Sequence, residues 1–294
     1  MRKIFSATVW FSLLGLILLL GISLTSCGET QSASNNTKVK AQPKGQEQQS
    51  SSSLYSQEDG NILWSGNFET GNFSDWKEVH QGGKWGNSSA TIVTSPVPPG
   101  FHYSVKLEVI PNGHKNNRVE LTASQKATGG YDGQEWYYSW LFYAPANPDA
   151  TSGWAQTNIT QWMDLLYQCS PPEQIDIMPG NPPHLDFHSE LRDNSNGCAH
   201  IGPTQDWDLG SMEYDKWNDI TVHLKFSADP AVGFAEIWVN GNNVLPLTHV
   251  RMLDTSGGVY MEQAIYHPGE DGPHILYLDG TGRHDKYSGA NGNI

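Results

Sequence analysis

Residues 217–226 read Trp-Asn-Asp-Ile-Thr-Val-His-Leu-Lys-Phe, in which Ile220, Val222, Leu224 and Phe226 alternate strictly with polar residues. Successive side chains of a strand point to opposite faces, so this period of two predicts one face in a core and one in solvent. Comparable strand signals recur along the chain, at 104–110, 117–123, 135–143, 155–167, 184–191, 235–240, 259–267 and 274–278. Connectors rich in Gly, Pro and Asn separate them, and Asn240-Gly241 is a strong two-residue hairpin signal. No stretch of roughly 12 residues carries a convincing helical period. Many short strands and no long helix predict an all-β fold, a two-sheet sandwich or jelly roll.

The N-terminus has a different character. Arg2 and Lys3 precede an apolar run from Val9 to Ile22 that falls short of the ~20 residues of a comfortable membrane span. It ends in Leu24-Thr25-Ser26-Cys27, which resembles the bacterial lipobox, so residues 1–27 are expected to be a lipoprotein signal with Cys27 lipidated. Residues 28–60 are rich in Ser, Gln, Asn and Thr and too poor in apolar groups to offset chain entropy, which predicts a flexible tether. Residues 61–294 are then expected to form one all-β domain, lipid-anchored at a bacterial envelope and facing outward or the periplasm. Export leaves Cys169 and Cys198 as an even pair in an oxidising compartment, predicted to form a disulfide worth about 3 kcal/mol. Arg2 and Lys3 are the leader's only charges, so removing it takes the formal charge from −14 to −16. Such a charge excludes nucleic acid as a partner.

The chemistry-bearing faces follow from the same alternation. In 259–267, Tyr260, Glu262, Ala264 and Tyr266 share one face, opposite Val259, Met261 and Ile265. Arg118 and Glu120 likewise share a face, opposite Val119. A row of phenols, a guanidinium and carboxylates without an obvious serine nucleophile suits proton abstraction from an anionic sugar better than acyl transfer. His184, Asp186 and His188 share a face as well, so His188 is a candidate base and His184 a candidate binding residue. The same His-x-Asp-x-His spacing could hold a transition metal, but no further ligand cluster accompanies it. The aromatic stretch 135–143 offers rings to both faces, as core or as a platform for sugars.

Several segments taken in order carry a resemblance: residues 67–76, Arg118-Val-Glu120, the aromatic strand ending in Ala144-Pro145, and Gln161-Trp162. Lys216-Trp217-Asn218-Asp219, residues 233–241, Tyr260 to Tyr266, and Leu276-Tyr-Leu-Asp279 complete the series. Over about residues 62–285 it resembles the polysaccharide lyases that include glucuronan lyases and heparin lyase I, and more distantly the alginate lyases. The resemblance implies a concanavalin-like β-jelly roll with a concave groove, and β-elimination of a uronic-acid polysaccharide. Matched to the alginate lyase motifs, Arg118, Glu120, Gln161, Tyr260 and Tyr266 fit, whereas Met163 stands in place of a His and Glu262 in place of a Lys.

On that footing Arg118 and Gln161 neutralise the substrate carboxylate, and Tyr266 acts as base, acid or both. Glu120, Tyr260, Trp162 and His184 bind substrate. An acid in the first strand and one in the last, Glu69 and Asp279, share a structural Ca²⁺ in many sugar-binding jelly rolls, and no cofactor is needed for the chemistry itself. The expected partner is an acidic, unsulfated, glucuronan-like polysaccharide, the protein is expected to be a monomer, and the membrane is expected to be engaged only through the lipid. Two other readings remain: a glycoside hydrolase, for which Glu173-Gln-Ile-Asp-Ile-Met178 faintly resembles a β-glucanase strand, and a non-catalytic carbohydrate-binding lipoprotein.

Overall fold

A computed structural model describes residues 60–113, 117–146, 154–165, 169–193, 196–254, 257–266, 268–269 and 272–289. The expected signal segment, Cys27 and all but the last residue of the expected tether lie outside the described residues. In chain order the strands are β1 (Ile62–Ser65), β2 (Glu78–His80), β3 (Ser88–Val93), β4 (Ser104–Val109), β5 (Arg118–Thr122), β6 (Glu135–Tyr143), β7 (Thr157–Asp164) and β8 (Glu173–Met178). Then follow β9 (His184–Ser189), β10 (Arg192–Asp193), β11 (Ala199–His200), β12 (Gln205–Ser211), β13 (Trp217–Lys225), β14 (Phe234–Val239), β15 (Asn242–His249), β16 (Val259–Tyr266) and β17 (His274–His284).

Two antiparallel sheets face one another as a β-jelly roll. One runs β15-β14-β13-β6-β17-β4-β3, with β1 added against β17; the other runs β12-β9-β8-β7-β16-β5-β2. In the second sheet β16 lies between β5 and β7, so segments more than a hundred residues apart are neighbours. Alternation decides what lies between the sheets. Leu107, Tyr138, Trp140, Val222 and Leu224 of the first pack against Val119, Leu121, Ile159, Ile175, Leu185, Phe187, Met261 and Ile265 of the second. Each such side chain contributes about 1.5–3 kcal/mol on burial.

Two expectations need correction at this level. Trp162, expected to bind substrate, is fully buried and meets Tyr138 and Trp140 edge-on. Alternation requires this, because its neighbour Gln161 takes the opposite face. The other concerns residues 173–178, offered as a hydrolase strand, which form β8 in the middle of the second sheet. Glu173 of that strand points inward and is fully buried, so it is no partner for Asp176 in a hydrolase pair. The strands that the sequence reading missed, β2, β3, β12 and β15 among them, are short or half-exposed. β15 even holds Pro246, which an edge strand tolerates. The expected hairpin is present: Asn240 and Gly241 both have positive φ, 51° and 75°, as a type I′ turn between β14 and β15 requires.

Candidate active site

The outer face of the second sheet holds a cleft of about 510 Å³. From β5 come Arg118 and Glu120, turned outward because Val119 and Leu121 are buried in the core. β16 supplies Glu262 and Tyr266, and β8 supplies Gln174 and Asp176. A bulge between Asn158 and Thr160 in the β7–β8 pairing resets the alternation, so Asn158 and Gln161 both reach the cleft, followed by Met163. Cys169, Ser170 and Pro171 form one wall, and the predicted disulfide between Cys169 and Cys198 pins that wall to β11.

The charged groups form a chain of contacts. Arg118 Nε approaches Glu120 Oε2 at 3.0 Å, a charge contact rather than an aligned hydrogen bond. The same Glu120 oxygen lies 3.2 Å from His80 Nδ1, and His80 Nε2 lies 3.0 Å from Glu78 Oε2. The Arg118 guanidinium sits over the Trp85 ring at 3.9 Å and 5.0 Å from the Tyr266 ring centre, while His80 stacks on Trp85 at 5.0 Å. The hydrogen bond to Glu120 raises the His80 pKa, against a smaller opposing effect of burial, and Glu78 adds to the rise. Glu262 is held by Thr122 Oγ1 at 2.8 Å and by Gln161 Nε2 at 2.6 Å. Burial, and then the nearby Glu120 charge, push the Glu262 carboxyl upward, towards the protonated form.

The fold therefore unites Arg118, Glu120, Gln161 and Tyr266, which the sequence reading proposed, with Met163 and Glu262. It adds His80, which that reading missed. The only local hint was the alternation Glu78-Val79-His80, and a three-residue edge strand is too short to stand out. His188, the imidazole singled out as candidate base, shares the outward face but lies outside the cleft lining. Its Nδ1 is 2.5 Å from Asp206 Oδ1. His184 is held by Asp208 at 3.1 Å in the same way. Tyr260 is only 3% exposed and does not line the cleft, which corrects its expected contact with substrate.

Glu69 and Asp279 lie away from this cleft. Glu69 accepts hydrogen bonds from the backbone N–H groups of His102 and Tyr103, at 2.8 and 3.1 Å, and pairs with His102 Nδ1. Asp279 is fully buried; its Oδ1 accepts the Gly280 N–H, and its Oδ2 has no hydrogen-bond partner. Burial raises the Asp279 carboxyl to about 8, and the charge of Glu69 adds to that rise. The orphan Asp279 oxygen is a hard donor of the kind a Ca²⁺ site uses, and the Glu69 charge acts on it, but among the described residues no group of three or more His, Cys, Asp or Glu side chains gathers as a metal site.

Comparisons with known proteins give the family and the fold. The family model for polysaccharide lyase matches residues 68–282. The crystal structure of endo-beta-1,4-glucuronan lyase from the fungus Trichoderma reesei is similar in fold, with a TM-score of 0.58 at 15% identity over 76% of this chain and 95% of that one. Alginate lyase vAL-1 from Chlorella virus gives a TM-score of 0.46 at 13% identity, over 77% and 100% of the two chains. No curated protein matches the chain in sequence. Since the family model spans most of the folded strands and the whole cleft, the chain belongs to the polysaccharide lyases and is a lyase enzyme acting on polysaccharide.

Proposed function

We propose that the cleft cleaves an unsulfated, glucuronan-like polysaccharide by β-elimination next to a uronic acid. The observation that carries this reading is the position of Arg118, ion-paired with Glu120 and lying beside both Trp85 and Tyr266. The guanidinium offers its remaining N–H groups to the substrate carboxylate, with His80 as a second cationic neighbour and Gln161 on the adjacent strand. Neutralising that carboxylate makes the C5 proton acidic. Tyr266 presents its phenol on the same face, with its ring centre 5.0 Å from the guanidinium. Tyr266 as phenolate takes the C5 proton; the C4–O bond breaks as the C4=C5 bond forms, and Tyr266 returns the proton to the departing oxygen. Atoms and charge balance, and the phenolate is regenerated. The restricted number of cations around the cleft supports a substrate with one negative charge per uronate rather than a sulfated one. Tyr266→Phe is expected to abolish the ultraviolet absorbance of the new double bond on glucuronan while leaving circular dichroism unchanged. Activity retained in that variant rejects the assignment.

Glu69 and Asp279 are proposed to hold a structural Ca²⁺ that takes no part in the elimination. The lipobox-like leader supports an anchored enzyme whose tether presents the cleft at the envelope surface.

A further inference from the structure

The outer face of the second sheet changes in charge along its width. At one end His80, Arg118 and Lys84, the last with its Nζ 4.3 Å from the centre of the Trp85 ring, stand among Glu78, Glu120 and Glu262. At the other end the strands β8, β9 and β12 contain no Lys or Arg. Their outward positions hold Gln174 and Asp176, then His184, Asp186 and His188, then Asp206 and Asp208. Both imidazoles are already committed, His184 to Asp208 and His188 to Asp206. Asp176 accepts hydrogen bonds from the amides of Gln156 and Asn158, at 2.9 and 3.3 Å.

Asp186 is the central member. It pairs in register with Asp176 on one side and Asp208 on the other, and Leu185 and Phe187 beside it are in the core. The residue is 7% exposed, and among the described residues no hydrogen-bond donor reaches its carboxylate. Burial, and then the charge of Asp206, raise it to about 6, so it is ionised near neutral pH and adds to the local negative field.

The outward face of β8 continues through its neighbours β9 and β12, so a polymer that crosses the strands from Arg118 and Tyr266 in that direction runs over them. Strands lie about 4.8 Å apart, roughly one sugar unit each, so several units pass over this acidic floor. Carboxylate oxygens accept hydrogen bonds from sugar hydroxyls and repel a second carboxylate.

We propose that the β8–β9–β12 end of the groove, centred on Asp186, selects sugar units without a carboxylate, so the preferred polymer interrupts its uronates with neutral sugars. This deepens the lyase reading above and rests on it. The test compares glucuronan with partially carboxyl-reduced glucuronan, in which some glucuronates become glucose at unchanged linkages. Isothermal titration gives Kd, and initial rates of unsaturated product give kcat/KM. The wild type is expected to bind the reduced polymer more tightly and cut it more efficiently, by about fivefold for one relieved like-charge contact. Asp186→Asn is expected to tighten native glucuronan by a similar factor and to narrow the difference between the two polymers. Asp208→Asn, on an exposed side chain, is the second variant should Asp186→Asn fold poorly. Affinity that falls steadily as carboxylates are removed, with native glucuronan bound equally by wild type and variants, overturns the proposal. The titrations are run in a Tyr266→Phe background so that binding is read without turnover, and absence of unsaturated product from every polymer with the intact enzyme sinks the lyase assignment of the preceding section separately.

Discussion

His80 joins two carboxylates, Glu78 and Glu120, through its two ring nitrogens, and Glu120 passes the contact on to Arg118. Because these partners raise its pKa in the folded state, its stabilising contribution is complete below the unfolded value of ~6.5. That contribution is lost as pH rises through the higher folded value. Urea denaturation of the wild type from pH 6 upward is therefore expected to show stability falling in this window, and His80→Asn to remove that part of the slope. An identical slope in the variant would assign it to other groups. At this scale the sequence was legible in part. Arg118, Glu120 and Tyr266 were found because alternation assigns each to an outward face, and Gln161 through the resemblance to the lyase motifs. His80 was not, because its meaning depends on Glu120, forty residues away and joined only by sheet pairing. Trp162 was misread because it adjoins Gln161 in a motif, although neighbours in a strand cannot share a face.

Among the elements between the strands, the segment leading into β8 walls the cleft. Cys169, Ser170 and Pro171 form its wall, and the bond to Cys198 ties them to the β10–β11 hairpin. Closing a loop of sequence separation 29 restricts the unfolded chain, and replacing both cysteines by serine is expected to cost about 3 kcal/mol in urea denaturation. The same double variant should raise KM more than it lowers kcat, because the wall positions substrate and no cysteine takes part in the elimination. An unchanged KM would reduce the disulfide to a purely structural brace. Long alternating strands such as β6, β13 and β16 were readable from their pattern. The edge strands β2, β12 and β15 were not, since exposure on two sides weakens the period of two that marks a strand.

At the scale of the molecule, Glu69 near the start of the fold and Asp279 in the last strand meet electrostatically. A shared Ca²⁺ there would join the two ends of the domain. Excess chelator is expected to lower Tm by several degrees, and Ca²⁺ at about 100 times its Kd to restore about 2.7 kcal/mol. Asp279→Asn should lose this response; a Tm indifferent to both chelator and Ca²⁺ in the wild type would remove the ion from the account. The amino-acid order by itself determined that the chain makes two-faced strands, which residues face inward, and that phenol, guanidinium and amide groups lie on polar faces. Those are local consequences of a two-residue period. Which strands became neighbours was decided only by tertiary packing, since burying both apolar faces at once selects one sheet order from many. That choice set His80 beside Glu120, left His188 outside the cleft, and brought Asp176, Asp186 and Asp208 into register across three strands.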